Sequence, residues 1–107
     1  MNDYIQVITT TERKEDAGAI ARWLVENRLA ACVQVSGPIT STYRWQGKIE
    51  TAEEWQCSAK TLRKLYEPVE QSIRRMHPYD VPEILAIEIV AGSQSYLTWL
   101  EGEVEAP

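Results

Sequence analysis

His77 is the only histidine of this 107-residue chain, and it opens the run HPYDVPE, which packs Pro78, Asp80, Pro82 and Glu83 closely together. Imidazole suits copper, zinc or nickel, and Pro78 restricts the backbone of the residue before it, which would hold the ring in one direction. The same ring also reads as a helix C-terminal residue complementing the helix dipole. A soft thiolate ligand is available at Cys32, but Ala30, Ala31, Val33 and Val35 surround it, a setting in which free cysteine packs as a small hydrophobe. Cys57, between Gln56 and Ser58, has no histidine or carboxylate pattern aimed at it. One histidine and one thiol fall short of the four ligands of a closed zinc site, so any such metal would need ligands gathered at a subunit boundary.

Asp80 and Glu83 offer acid–base groups or hard oxygen ligands. Their bland reading is architectural: Asp80 closing a turn through backbone hydrogen bonds, and Glu83 pairing with Lys60 or an arginine. On the bland reading Tyr79, Pro78 and Pro82 pack as a rigid plug, and the run is mainly a stiff connection with His77 available for metal. A catalytic reading would pair Cys32 with His77, oriented by Asp80. No P-loop, dinucleotide glycine pattern or HExxH accompanies them, so the expectation is a protein that is not an enzyme.

These side chains must be held by elements legible in the hydrophobic pattern. YIQVITT reads as a β-branched strand, with Thr9 to Thr11 as caps for a helix over 12–28 whose apolar stripe is Ala17, Ile20, Ala21, Leu24 and Val25. Two extended arms follow around Gln46-Gly47, with a break or bulge at Gly37-Pro38. The arm from Ala31 to Trp45 spans about 45 Å, against about 25 Å for the helix, so the hairpin tip must overhang its own domain. Tyr43, Trp45, Ile49 and Trp55 lie on that overhang, and an apolar patch of this kind predicts an oligomer built through the hairpin. Leu62, Leu65, Val69, Ile73 and Met76 predict a second helix, either starting near Glu67 with Pro68 in its first turn or kinked at Pro68. EILAIEIV is a strand, and a last helix capped by Ser93 or Ser95 docks through Tyr96, Leu97, Trp99 and Leu100. Strand, helix, hairpin, helix, strand, helix is the order of a ferredoxin-like α+β sandwich.

Composition narrows the partners. Hydrophobic residues at 44% and charged ones at 25% describe a single globular domain over 1–107 without linkers. A net charge of -5 and the lack of a basic stripe argue against nucleic acid. The first residues carry no signal-peptide pattern and no apolar run reaches the about 20 residues of a membrane span, so the expected location is the cytoplasm, with both cysteines free.

In their order and separations the motifs LAACVQV, ITSTYRWQGKIE, EEWQCSAKT, HPYDVPEILAIEI and YLTWL closely resemble the CutA divalent-cation tolerance proteins over nearly the whole chain. The resemblance implies a ferredoxin-like βαββαβ protomer with a long central β-hairpin and a C-terminal helix, assembled as a homotrimer through the hairpins. It also implies an architecture similar to PII-like signalling proteins, and a role in divalent-cation tolerance with copper the cation most often linked to it and no obligatory cofactor. The metal ligands it implies are Cys32, His77 and Glu83. Met76 departs from the pattern, standing where some relatives carry a second histidine; a thioether serves Cu(I) better than Cu(II). The alternative is a trimeric PII-like signalling or scaffold module whose intersubunit cleft takes a small molecule or a partner protein, with Tyr43, Trp45, Trp55 and Tyr79 as its lining or simply as trimer core.

Overall fold

A computed structural model describes residues 3–105. They form β1 (Tyr4–Thr11), α1 (Lys14–Glu26), β2 (Cys32–Trp45), β3 (Lys48–Leu62), a 3-10 turn (Arg63–Leu65), α2 (Tyr66–Met76), β4 (Ile84–Glu88) and α3 (Gln94–Glu103). All strand pairs are antiparallel in the order β2-β3-β1-β4, the ferredoxin-like α+β arrangement expected from the element order. Residues opposite one another in an antiparallel ladder share a face. The register therefore puts Ile5, Val7 and Thr9 with Thr61, Ala59 and Cys57 on one side of the sheet, none of them more than 2% exposed. Ala17, Ile20 and Leu24 of α1 and Val69 and Ile73 of α2 close the core. Each large aliphatic side chain there contributes about 2 kcal/mol.

Three boundaries differ from the sequence expectation. Thr9 to Thr11 do not cap α1; they complete β1, Thr11 pairing with Trp55 and lying fully buried. Backbone pairing to β3 satisfies the main-chain N–H and C=O groups of these residues, and the helix starts at Lys14 with no side-chain cap at Arg13. Its other end comes early too: the Asn27 amide donates to the Trp23 carbonyl and Arg28 turns the chain at φ 58°. Leu62 ends β3 rather than starting α2, and Pro68 sits in the first turn of α2, where its missing N–H costs no helical bond.

β1 stops pairing at Trp55, so Lys48 to Glu54 pair with β2 alone and form a two-stranded ribbon that overhangs the domain by about 23 Å at 3.3 Å per residue. Gln46 and Gly47, at φ 51° and 79°, make the tight two-residue turn. Ser36 pairs with Gln56 and Ile39 with Glu54, which leaves Gly37 and Pro38 opposite Trp55 alone: a β-bulge at the expected place. Gly37 is required there, since a Cβ would stand 2.8 Å from the Trp55 ring.

α3 is capped by the Ser93 hydroxyl, which accepts from the Tyr96 N–H at 3.3 Å. Of the four residues expected to dock it, Leu100 is fully buried and Leu97 half-buried, while Tyr96 and Trp99 remain 39% and 45% exposed and pack on each other. Val104, extended just past the end of α3, is also buried in the core. The helix is tied by the Arg28 guanidinium, which donates to the Gly102 and Glu103 carbonyls, and by the Tyr4 hydroxyl, which donates to Glu101.

Candidate functional site

α2 ends at Met76, and the HPYDVPE run carries the chain over the end of β1 to the start of β4. His77 is the pivot of that passage. It is 8% exposed; its Nε2–H donates to the Thr10 carbonyl at 2.7 Å, and its Nδ1 accepts the Tyr79 N–H at 3.1 Å. Those two bonds define a neutral ring with the proton on Nε2. They also occupy both nitrogens, so the ring has no lone pair for a metal without surrendering one of them.

Tyr79 then leans back over the imidazole, ring centroids 4.7 Å apart, and its hydroxyl donates to Glu54 Oε2 at 2.9 Å. Burial, then the bond to Glu54 and the charge of that carboxylate, raise the Tyr79 phenol well above its ordinary range. The plug reading of Tyr79 is therefore right in part: one edge packs on His77 while the hydroxyl is committed to Glu54. Asp80 is exposed and closes no turn through its side chain, and Glu83 pairs with neither Lys60 nor an arginine among the described residues. Lys60 donates instead to Gln34 across the β2-β3 ladder.

Cys32 is elsewhere. It pairs with Lys60, which pairs with Gln6, whereas His77 binds Thr10, so thiol and imidazole are separated by about 13 Å along the strands alone. A thiol–imidazole pair is not assembled within one chain. Cys32 is half-buried and lies by Tyr96 of α3, whose phenol is raised first by burial and then by this thiol. The proposed ligands thus divide into His77 with Glu83 at one end of the sheet and Cys32 at the other. Among the described residues no three of His, Cys, Asp or Glu come together closely enough to hold a metal ion, so one chain by itself does not fit a copper or zinc centre. Cys57 is a core residue: burial pushes its thiol up to about 12, and its Sγ–H donates to the Ala17 carbonyl at 3.8 Å.

What the fold does build is a cleft of about 750 Å³ between one face of the overhanging hairpin and the 79–83 segment. Tyr43, Trp45 and Tyr79 wall it, Thr10 and Glu54 line its sheet side, and Asp80, Pro82 and Glu83 line the loop side. Glu54 shares a face with Ile39 by the β2-β3 register and is 8% exposed. Sequence reasoning missed it. Its one signal was a carboxylate in phase with Gln56 and Ser58 on a strand, and the partner that gives it meaning, Tyr79, comes from a distant loop.

A four-stranded antiparallel sheet backed by two helices, with a protruding hairpin and an acidic aromatic cleft beside it, defines a ferredoxin-like α+β protein. The chain belongs to the CutA1 divalent ion tolerance protein family, whose model matches residues 5–103. It is similar to the divalent-cation tolerance protein CutA of Thermus thermophilus, 42% identical over 94 residues, covering 88% of this chain and 91% of that one. It is also similar to Protein CutA, chloroplastic, of Arabidopsis thaliana, 38% identical over 97 residues, covering 91% of this chain and 53% of that one. The chain spans about half the length of that plant relative and of the mouse and human ones. Among solved structures, CutA from Xylella fastidiosa superposes with a TM-score of 0.93 at 39% identity, over 96% of this chain and 99% of that one.

Proposed function

We propose that the chain serves divalent-cation tolerance as a non-enzymatic, cytoplasmic homotrimer that binds copper, or another divalent cation, at the boundary between copies. The observation that carries this reading is the dispersal of the candidate ligands: with His77 and Glu83 at one end of the sheet and Cys32 at the other, a complete ligand set needs more than one chain. Assembly has a surface to use. Tyr43, Trp45 and Ile49 on the hairpin and Leu85 and Ile87 on the edge strand β4 are 46% to 69% exposed, more large apolar area than a monomer ordinarily leaves in water. Among the described residues no helix is long and apolar enough to cross a membrane.

Light scattering with copper titration tests both parts together. A trimer that takes up Cu(I) or Cu(II) saturably, and loses affinity in Cys32→Ser and Glu83→Gln, supports the reading; a stable monomer, or affinity unchanged in both variants, removes it.

The cleft favours a second reading, a PII-like signalling or scaffold module that takes a small molecule in a cleft between subunits. Its volume lies within the about 300–1,000 Å³ of small-molecule sites, and its walls combine aromatic faces with a few polar groups. A metabolite that raises the melting temperature in the presence of a chelator separates this reading from the first.

A further inference from the structure

Glu54 is nine-tenths buried, yet among the described residues no lysine, arginine or histidine lies within ion-pair distance of it. Its one hydrogen bond comes from a neutral phenol, that of Tyr79. A carboxylate so far withdrawn from water is costly unless a positive charge compensates it. The cleft in front of it supplies none, since its lining adds the carboxylates of Asp80 and Glu83 and holds no basic residue.

The opposite imbalance stands at the end of the overhanging ribbon. Arg44 and Lys48 flank the Gln46-Gly47 turn, and among the described residues neither has a carboxylate within ion-pair distance. The register puts Lys48 on the ribbon face that carries Glu54 and Arg44 on the other, so the end presents a base on either side. Neither base reaches Glu54 of its own chain. Lys48 lies about 20 Å from it along β3, and Arg44, which pairs with Ile49, about 17 Å.

We infer that the Glu54 pocket is completed by the hairpin end of a second copy, from which one basic side chain, Arg44 or Lys48, enters the cleft as the counter-charge. The inference rests on the homotrimer proposed above and names a contact that sets its register. The ribbon carries its end about 23 Å past the last residue of β3 that β1 covers, away from the core of its own domain. Trp45 and Ile49 beside the bases are 53% and 69% exposed, so docking on another copy removes large apolar groups from water while the ion pair fixes the orientation. The hairpin end and the cleft are different patches of one surface. Their contact is therefore head-to-tail and closes into a ring, the geometry that a trimer needs.

The experiment is light scattering on the full chain over a dilution series in stepped urea, with a chelator present so that metal does not contribute. Glu54→Gln is expected to raise the concentration at which the assembly dissociates by at least about tenfold, and so is one of the two changes Arg44→Gln and Lys48→Gln. Combining Glu54→Gln with that change should add no further loss, because non-additivity arises between residues in contact and these two meet only across copies. Glu54→Gln keeps an acceptor for the Tyr79 hydroxyl, and Arg44 and Lys48 are exposed, so circular dichroism should show every variant folded. Losses that simply add, or an assembly indifferent to Glu54→Gln or to both base changes, overturn the inference and leave the trimer standing. A wild-type chain that runs as a monomer throughout the series overturns both.

Discussion

His77 joins the end of β1 to the connection that leaves α2, through two ring nitrogens that are both in use. Its removal should therefore register first as lost stability. His77→Ala leaves the buried Thr10 carbonyl and the Tyr79 N–H without their partner, and we expect a loss of about 1–3 kcal/mol in urea denaturation. If His77→Ala leaves the denaturation midpoint unchanged, the ring is not structural. Cys57 makes a pH-dependent contribution. Its folded thiol is raised from 9.0 to about 12, so the folded state retains a proton that the unfolded chain releases. The associated stability is complete below pH 9 and drains away as the pH rises towards 12. Tyr79, raised above its ordinary 10.0, adds to the same alkaline decline. Melting temperatures followed upward from pH 9 should fall, and Cys57→Ala should flatten the early part of the fall; parallel curves for the two proteins would contradict the assignment. The HPYDVPE run was legible as a special segment from its residue types alone. Glu54 was not, because its importance lies in a contact with a tyrosine 25 positions away.

The hairpin depends on two glycines for different reasons. Gly47 has φ 79° and open space where a Cβ would go, so Gly47→Ala carries a backbone cost alone, about 1 kcal/mol. At Gly37 the same change drives a Cβ to 2.8 Å from the Trp55 ring at φ 153°, and the cost should be larger, about 2–3 kcal/mol with displacement of the indole. Denaturation midpoints and the Trp55 contribution to fluorescence distinguish the two; equal effects would mean that the bulge does not rely on that close approach. The turn and the bulge were readable because glycine and proline mark local backbone demands. Where β1 ends and α1 begins was not: the threonines suit both a cap and a strand, and pairing with β3 decided between them.

At the scale of the molecule, an edge strand and an overhanging ribbon present apolar side chains to water together. Leu85 and Ile87 are 54% and 50% exposed, and a charge on each disfavours burial against a second copy far more than it disturbs the isolated fold. The double substitution Leu85→Glu with Ile87→Glu is expected to shift light-scattering mass towards a single chain while circular dichroism keeps its folded signature. An unchanged mass would remove β4 from the assembly surface. The overhang itself was foreseeable by comparing strand rise with helix rise, about 3.3 Å against 1.5 Å per residue.

Taken alone, the sequence determined the number, type and order of the elements, the hairpin turn and the bulge, because periodicity and special backbone residues act over short stretches of chain. It also carried the family resemblance through ordered motifs. Only the tertiary structure decided which side chains meet. It set Cys32 about 13 Å from His77 along the strands, committed both imidazole nitrogens, and set Glu54 beneath Tyr79 in an aromatic cleft. Those outcomes follow from strand register and from the path of one loop over a strand end, and neither is encoded at any single position.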